Sequence, residues 1–271
     1  MNIAVITGAS SGMGEAFARQ IVSHQYANLG TPFEEIWLIA RSADKLSKLK
    51  DELAPNRVRV VPLDLTDPSS ITDLSQLLEA EKPTVRLLIH SAGMGKNGQF
   101  AEQRISDTQQ AIALNCSALS TVTQLFLPYM IPYGESVEKK QGPRIINIAS
   151  SAGFLPQPGF AIYAATKSFV ISFSRALHAE LKSKHISVTC VCPGPCDTNF
   201  IKVSKDDPNA TFTGFKAKFV TSVDKLIPAS LRAAEKCKSM LVFGFGQKCL
   251  HLASKILPTN WILFFESKMS K

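Results

Sequence analysis

Apolar strand patterns alternate with helical patterns along most of this 271-residue chain. Each apolar run is short, and Pro, Gly or polar residues mark the joints between runs. Strands that are apolar throughout are typical of a parallel sheet that helices cover on both faces. The runs lie at residues 3–6, 36–40, 58–63, 85–90, 144–149 and 186–192. The alternation predicts an α/β fold, a single domain with a doubly wound parallel sheet of about seven strands.

Residues 1–243 are predicted to form this domain, because no change in composition marks a second one. Residues 244–271 are predicted to be a C-terminal amphipathic extension, since large apolar residues alternate there with lysines. Such a segment can pack on the core, form a dimer interface or lie on a membrane surface. We favour the core or the interface. No run of about 18 apolar residues occurs, so no membrane span is expected.

The composition excludes a disordered chain, because 45% of the residues are hydrophobic. A net charge of +8 would suit nucleic acid, a membrane or an anionic ligand. The basic residues are spread along the chain, however, without the clustered aromatic residues of single-strand binders. We therefore predict a solvated basic surface and no nucleic-acid partner.

The six cysteines are expected to be free thiols, because no secretory signal is recognised and the chain is predicted to be cytoplasmic. Cys190, Cys192 and Cys196 lack the paired spacing of a structural zinc site, so no metal is predicted. Cys190 and Cys192 alternate in a predicted strand and should point to one packed face.

A glycine-rich turn follows the first strand directly and opens the first helix. The glycines let the backbone approach a phosphate closely, and the helix offers free N–H groups and its positive dipole end. An ordinary glycine-rich turn is the alternative, but the position between strand and helix favours a Rossmann-like dinucleotide site. The predicted contacts are Gly8, Ser10, Ser11, Gly12, Met13 and Gly14.

Tyr163 and Lys167 are four residues apart, so a helix would place them on one face, and Ser150 lies thirteen residues upstream at a strand end. A phenol, an ammonium and a hydroxyl together can move a proton at a carbonyl. The ammonium, together with a positively charged cofactor ring, is expected to lower the pKa of Tyr163. A helix that carries Tyr and Lys without chemistry is the alternative.

The Gly-x3-Gly-x-Gly turn and the Tyr-x3-Lys pair together resemble the classical short-chain dehydrogenase/reductase family over roughly residues 1–200. The resemblance implies that Ser150 polarises a substrate carbonyl, with Ser151 as a neighbour of similar exposure. Tyr163 would be the acid or base, and Lys167 would hold the nicotinamide ribose. Asn115 would hold a water in the proton relay, whereas a buried Asn satisfied by nearby backbone is its alternative.

No acidic residue stands at the end of the second strand, where one would bind the ribose 2′-OH of NAD. Arg41, followed by Ser42, can instead pair with a 2′-phosphate, although an ordinary surface charge is the alternative. The sequence therefore predicts NADP(H) in preference to NAD(H).

The family resemblance extends the predicted cofactor contacts beyond the glycine turn. Asp64 and Leu65 would lie near the adenine. Alternatively, Asp64 caps the turn that follows it, although Asp67 is better placed to cap the next helix. Ser91 replaces the usual asparagine of this position. The further contacts are Ser91, Ala92, Gly93, Pro193, Gly194 and Thr198, together with Tyr163 and Lys167.

Residues 197–221 would form the substrate loop of the family. The loop carries five large apolar residues, which either close over an apolar substrate or dock the loop on the domain. They are Phe200, Ile201, Phe212, Phe215 and Phe219.

The resulting hypothesis is an NADP(H)-dependent oxidoreductase that acts on an apolar carbonyl compound or secondary alcohol. A non-catalytic NADP-binding regulator is the alternative, and a protein bound to a membrane surface through its C-terminal segment is a third. The helices that begin near Arg104 and Ile162 are apolar on more than one face, and in related enzymes they pair across a two-fold axis. A homodimer or homotetramer is therefore expected.

Overall fold

A computed structural model describes residues 1–24, 26–29, 32–53, 57–196, 198, 200–211, 220–261 and 263. Within these residues seven parallel strands form one sheet in the order β3-β2-β1-β4-β5-β6-β7. The strands are β1 Asn2–Thr7, β2 Glu35–Ala40, β3 Val58–Pro62, β4 Thr84–His90, β5 Arg144–Ile148, β6 Ser187–Cys192 and β7 Met240–Val242.

Helices connect the strands and cover the sheet. The α-helices are α1 Gly12–Ser23, α2 Ala43–Leu53, α3 Pro68–Glu81, α4 Ile105–Ile112, α5 Leu119–Phe126, α6 Ile131–Ser136, α7 Ala161–Glu180, α8 Phe200–Lys205, α9 Val223–Glu235 and α10 Phe245–Ile256. A π-helical segment, Ala113–Ala118, joins α4 to α5. Short 3₁₀ turns lie at Ala27–Leu29, Phe100–Glu102, Leu127–Tyr129, Ser151–Phe154 and Leu181–Lys184.

The central strand β1 shows why the strand patterns are apolar throughout. Ala4 and Ile6 face one core with Phe17 of α1, whereas Ile3 and Val5 face another core with Phe126 of α5. Successive side chains of a strand point to opposite faces, so a sheet covered on both sides needs apolar residues at every position. Helices α1, α2 and α9 cover the first face, and α3, α5 and α7 cover the second.

The strand order reverses between β1 and β4, which pair in parallel next to each other. In open parallel sheets such a switch point opens a crevice outside the carboxyl ends of the strands. The segments that follow β1, β4, β5 and β6 all lead into this crevice, and these are the segments that carry the predicted site residues.

The predicted fold class is confirmed, and the six strands that the sequence identified are all present. The seventh strand, β7, was not located from the sequence because it has only three residues, all of them partly exposed, at the edge of the sheet. Helix α9 continues through Pro228, although a proline inside a helix removes a hydrogen bond. Asp67 caps α3 as expected, accepting from the Ser69 N–H at 2.9 Å.

The helical stretch Ile105–Tyr129 is long and apolar enough to cross a membrane by length and composition alone, although the sequence shows no unbroken apolar run of that length. Its inner residues Val122 and Phe126 pack against the sheet and are fully buried. We therefore interpret it as a core helix of the α/β domain.

The C-terminal extension begins with α10, which turns Gln247 into the domain and leaves apolar residues on its outer side. Phe245, Leu252, Ile256 and Trp261 are more than half exposed. Its packing on the domain is therefore partial, and the division of the chain at residue 243 stays a prediction.

Candidate active site

The crevice at the carboxyl edge of the sheet is a single cleft of about 2040 Å³. Pockets for drug-sized ligands are typically about 300–1,000 Å³, so this cleft is large enough for a dinucleotide and a second molecule. Every residue that the sequence proposed for cofactor binding lies along it except Gly14, and Tyr163, Lys167 and Ser150 lie there too. Asn115 stands behind the cleft wall.

The glycine turn is built so tightly that side chains are excluded from it. A Cβ on Gly8, which has φ +68°, would lie 2.6 Å from the backbone nitrogen of Ala92. A Cβ on Gly14 would lie 2.2 Å from the carbonyl oxygen of Gly8. Gly14 therefore shapes the turn without lining the cleft. The first turn of α1, which begins at Gly12, points its free N–H groups at this end of the cleft.

Positive charge gathers where β2 ends, at the far end of the cleft. Arg41 has a 68% exposed side chain, and its Nη1 lies 3.9 Å from Asp64 Oδ2. Ser42 directly precedes α2, and the exposed Lys45 in the first turn of that helix also lines the cleft. No sequence motif indicated Lys45, but its position four residues after Arg41 could have suggested a second positive charge at this end of the cleft.

Asp64 caps the turn that follows it, which was the predicted alternative to a contact with the adenine. Its Oδ1 accepts hydrogen bonds from the Thr66 N–H at 2.9 Å and from the Thr66 hydroxyl at 2.7 Å. Burial acts to raise the pKa of Asp64, but these two bonds and the Arg41 charge outweigh it, so the pKa is lowered. The carboxylate still faces the cleft beside Leu65.

The segment after β4 forms the floor between the two ends of the cleft. The Ala92 N–H donates to Thr7 Oγ1 at 3.3 Å, which ties this segment to β1. A Cβ on Gly93 would lie 3.2 Å from Asn115 Oδ1 and 3.3 Å from Lys167 Nζ, so Gly93 lies between these two side chains. Ser91 lines the cleft as predicted.

Asn115 lies in the π-helical segment and is 1% exposed. Its Nδ2 donates to the Met94 carbonyl at 2.7 Å and to Thr166 Oγ1 at 2.9 Å, and its Oδ1 accepts from the Met94 N–H at 2.9 Å. The side chain is thus satisfied by neighbouring groups, as the structural alternative for this residue predicted. It ties the segment after β4 to α7, the helix that carries Tyr163 and Lys167. A π-helical interruption of a helix is common at functional sites.

Ser150 and Tyr163 meet at the catalytic end. Ser150 follows β5 and caps the 3₁₀ turn by accepting from the Ala152 N–H at 3.1 Å. Its hydroxyl is close enough to the Tyr163 hydroxyl to act on the pKa of that phenol. The ring of Tyr163 packs against Phe160 and Phe200, with centroid distances of 4.7 and 5.1 Å. Ser151 is buried to nearly the same extent as Ser150, so exposure alone does not distinguish them.

Lys167 is 6% exposed, and its Nζ donates to the Ile148 carbonyl at 2.8 Å. The Nζ lies 5.6 Å from the centroid of the Tyr163 ring. Burial lowers the pKa of Lys167 to about 8, although the nearby thiols of Cys190, Cys116 and Cys192 oppose this shift.

The pKa of Tyr163 moves in the direction opposite to the one expected from the sequence. Burial raises it to about 12, while the hydrogen bond from Ser150 acts to lower it. The prediction from the Tyr-x3-Lys spacing considered the ammonium charge but not the desolvation of the phenolate, which is the larger effect among the chain's own groups. Tyr163 is consequently a neutral phenol at pH 7.

Pro193, Gly194 and Thr198 border the cleft from β6. The Pro193 carbonyl accepts from the Ser151 N–H at 2.8 Å, which joins this segment to the turn that Ser150 caps. A Cβ on Gly12 would lie 3.5 Å from Thr198 Cβ, so Thr198 stands beside the glycine turn. Cys190 and Cys192 share one face, as expected, with their Sγ atoms 3.7 Å apart. No group of potential metal ligands occurs in the described residues.

Part of the predicted substrate loop reaches the site. Phe200 contacts Tyr163, and the next residue of α8, Ile201, is buried. Phe212, Phe215 and Phe219 lie outside the described residues. Sequence reasoning missed the contribution of α10, from which Gln247 and Leu250 line the cleft. The C-terminal amphipathic pattern indicated a packed helix but not which cleft it would meet.

The residues present fit a nicotinamide dinucleotide. Backbone that no side chain obstructs and the start of α1 suit a pyrophosphate, and Arg41 with Lys45 suits a further anionic group. The buried Ser150, Tyr163 and Lys167 lie at the other end of the same cleft. Fold and site together define a doubly wound α/β protein of the dinucleotide-dependent type.

Comparisons with known proteins agree with this class. The short chain dehydrogenase family model matches residues 2–209. The chain is 34% identical over 192 residues to Nodulation protein G of Rhizobium sp. (strain N33), covering 70% of this chain and 71% of that protein. It is 30% identical to the 3-oxoacyl-[acyl-carrier-protein] reductase FabG of Salmonella typhimurium (strain LT2), covering 95% of each.

Among solved structures, a short-chain dehydrogenase from Sphingobium yanoikuyae in complex with NADPH superposes with a TM-score of 0.74. It is 26% identical, and the match covers 100% of this chain and 94% of that one. The chain belongs to the short-chain dehydrogenase/reductase family, and it is an oxidoreductase of that family with a nicotinamide cofactor.

Proposed function

We propose that this protein is an NADP(H)-dependent oxidoreductase that interconverts an apolar carbonyl compound and its secondary alcohol. The observation that carries the proposal is that Ser150, Tyr163 and the anchored Lys167 lie together in the cleft that also contains the glycine turn. The bound cofactor supplies or accepts the hydride. The chain's own residues bind, orient and transfer the proton.

In the proposed chemistry Tyr163 donates its phenolic proton to the substrate oxygen during reduction. A phenol with a raised pKa is fully protonated at pH 7 and therefore ready to donate. Ser150 donates a hydrogen bond to the same oxygen as negative charge develops there. Lys167, held by the Ile148 carbonyl, places a positive charge behind the tyrosine and stabilises the phenolate that the transfer leaves.

The cleft around this pair supports an apolar substrate. Phe160 and Phe200 pack on the Tyr163 ring, and Leu250 and Ala253 of α10 line the same cleft. Such surroundings exclude water from the reacting carbonyl. The NADP(H) preference is supported by Arg41 and Lys45 at the nucleotide end, where no carboxylate ends β2.

The test is a screen of ketones, aldehydes and 3-oxoacyl thioesters in which turnover is measured as the loss of NADPH absorbance. Turnover of any class with NADPH, and slower turnover with NADH, supports the proposal. Tight NADPH binding without turnover of any compound would instead favour the non-catalytic NADP-binding regulator.

We further propose that the chain assembles as a homodimer or homotetramer. Three apolar side chains are exposed on α4 and α7, namely Ile105 at 77%, Ile112 at 45% and Phe169 at 40%. Their removal from water would favour an isologous contact between copies. Light scattering at tens of micromolar should give at least twice the 29.5 kDa chain mass. A stable monomer would contradict this and leave α10 as a candidate for membrane contact, testable by liposome sedimentation.

A further inference from the structure

Gln247, in the first turn of α10, is a buried polar residue that the proposed chemistry does not use. Its side chain is 7% exposed and lines the catalytic cleft. No hydrogen bond among the residues that the structure describes involves its amide. The amide atoms are not among the enclosed side-chain atoms that lack a partner, so water in the cleft reaches them. An amide that faces a binding cleft without a protein partner can exchange that water for an oxygen of a ligand.

The position of the amide is fixed by two glycines. A Cβ on Gly194 would lie 2.1 Å from Gln247 Nε2, and a Cβ on Gly244 would lie 2.3 Å from Gln247 Oε1. Gly194 follows β6 and Gly244 follows β7, so the amide is held between the ends of two neighbouring strands. Any larger residue at either glycine would displace it.

The amide lies at the Ser150 end of the cleft, beside Gly194, and not at the Arg41 end. The Pro193 carbonyl, next to Gly194, accepts from Ser151, which adjoins the catalytic Ser150. Helix α10 packs on the Ser151–Phe154 turn, where the rings of Phe154 and His251 are 4.5 Å apart. Gln247 thus belongs to a wall that continues from Ser150, whereas Arg41 and Asp64 mark the opposite end.

The cleft-lining neighbours of Gln247 on α10 carry no side-chain oxygen or nitrogen. Within α10 the other cleft-lining residues are Phe245, Gly246, Cys249, Leu250 and Ala253. An apolar substrate can pack on these residues, but it leaves the Gln247 amide unpaired unless it brings an oxygen of its own. An amide donates through its NH₂ group and accepts through its carbonyl, so a carbonyl or hydroxyl oxygen suits it.

We propose that Gln247 is a specificity-determining residue that hydrogen-bonds a second neutral oxygen of the substrate, a carbonyl or a hydroxyl near the reacting carbonyl. The enzyme then prefers a bifunctional apolar carbonyl compound over a plain ketone of the same size. A site built to hydrogen-bond a substrate group rejects analogues that lack it, because the buried amide is then left unpaired. This inference rests on the proposed oxidoreductase function.

The experiment compares two substrate pairs matched in chain length and carbonyl position: ethyl 3-oxohexanoate with nonan-4-one, and 1-hydroxyoctan-2-one with octan-2-one. The value of kcat/KM is measured for each compound with the wild type, with Gln247→Leu and with Lys248→Leu. Lys248 is the exposed neighbour of Gln247 on α10 and does not line the cleft, so it is the matched control.

The wild type should prefer the bifunctional member of at least one pair, and Gln247→Leu should reduce that preference by about tenfold or more. The loss should fall on the bifunctional compound alone. Lys248→Leu should keep the preference. NADPH affinity should be unchanged, and the melting temperature of Gln247→Leu should change little, because the amide makes no hydrogen bond within the protein.

Three results would overturn the inference while leaving the proposed function intact: no preference in the wild type, an unchanged preference in Gln247→Leu, or a loss of NADPH affinity that accounts for the whole effect. Binding of NADPH without turnover of any of the four compounds or of the wider screen has a different meaning. It would refute the proposed function, and the inference that rests on it would fall as well.

Discussion

The two ends of the cleft are built from different parts of the chain. The nucleotide end consists of glycine backbone, the start of α1 and exposed charges such as Arg41 and Lys45. The catalytic end consists of buried polar side chains, of which Ser150 and Lys167 hydrogen-bond to the backbone. Solvent screens charges at the first end, whereas burial at the second raises the pKa of Tyr163 to about 12 and lowers the pKa of Lys167 to about 8.

This difference predicts that substitutions at the two ends affect different measurements. Removal of the Ser150 or Tyr163 hydroxyl at the catalytic end should alter turnover far more than cofactor affinity, whereas Lys167 is also expected to hold the nicotinamide ribose. A change at the nucleotide end should alter affinity and its dependence on salt. A variant that changed both quantities equally would show that the two ends are coupled.

The largest effect is expected for Tyr163→Phe, which removes the proton donor but keeps the ring against Phe160 and Phe200. Turnover should fall by roughly 10²–10⁴-fold, the usual contribution of general acid catalysis. The dissociation constant of NADPH, measured by fluorescence titration, should change little. Turnover near that of the wild type would exclude Tyr163 as the acid.

Arg41→Ala tests the nucleotide end. A charge-assisted hydrogen bond is worth about 1.5–3 kcal/mol, so NADPH affinity should fall roughly 10- to 100-fold. NADH affinity should be nearly unchanged, because NADH has no 2′-phosphate. Calorimetric titration of both cofactors checks this, with Lys248→Leu as a control outside the cleft. Equal losses for the two cofactors would mean that Arg41 does not contact that phosphate.

The lowered pKa of Lys167 predicts a pH effect at the catalytic end. The profile of kcat/KM reports groups of the free enzyme, so reduction should slow as pH rises through about 8 and Lys167 loses its proton. The fall should approach about tenfold for each pH unit above that value. A flat profile of kcat/KM for NADPH from pH 7 to 9.5, measured at a constant carbonyl concentration, would contradict the role of the Lys167 charge.

Stability should change with pH in the opposite sense, which separates deprotonation from unfolding. The pKa of Lys167 is about 8 in the folded protein and 10.5 ordinarily, so the unfolded chain binds more protons between these values and the free energy of unfolding rises with pH there. The pKa of Tyr163 is about 12 when folded and 10 ordinarily, so its contribution to stability is lost as pH rises from 10 to 12. Urea unfolding at pH 7.5 and 9.5 checks the first part.

The contrast between the two ends also explains what the sequence could predict. The glycine turn is contiguous and its chemistry lies in the backbone, so residues 8–14 could be identified directly. Ser150, Tyr163 and Lys167 could be placed together because parallel strands end at one edge and helical spacing is regular. The raised pKa of Tyr163 could not be predicted, since it depends on the packing of Phe160 and Phe200 around the ring.

Two further features needed the three-dimensional structure for a related reason. Gln247 enters the cleft from a helix that follows β7 in the chain, and only the pairing of β6 with β7 brings it to Gly194. Asn115 can be recognised in the sequence as an unfavourable residue inside an apolar helix pattern. Its three hydrogen bonds could not be predicted, because they depend on the path of the backbone at Met94. Local patterns do not encode such long-range contacts.

The smallest predicted effect concerns Asp64, the carboxylate that pairs with Arg41. The 3.9 Å separation and the exposure of both side chains make this a weak ion pair, worth less than about 1 kcal/mol. The substitution Asp64→Asn keeps an acceptor for the Thr66 N–H and removes a negative charge near the proposed 2′-phosphate. NADPH should therefore bind up to about threefold more tightly at low salt, with the gain vanishing at high salt. If Asp64→Asn instead weakened the binding of both NADPH and NADH at every salt concentration, Asp64 would act through a direct contact with the nucleotide, and the nucleotide end would depend on a specific side chain as the catalytic end does.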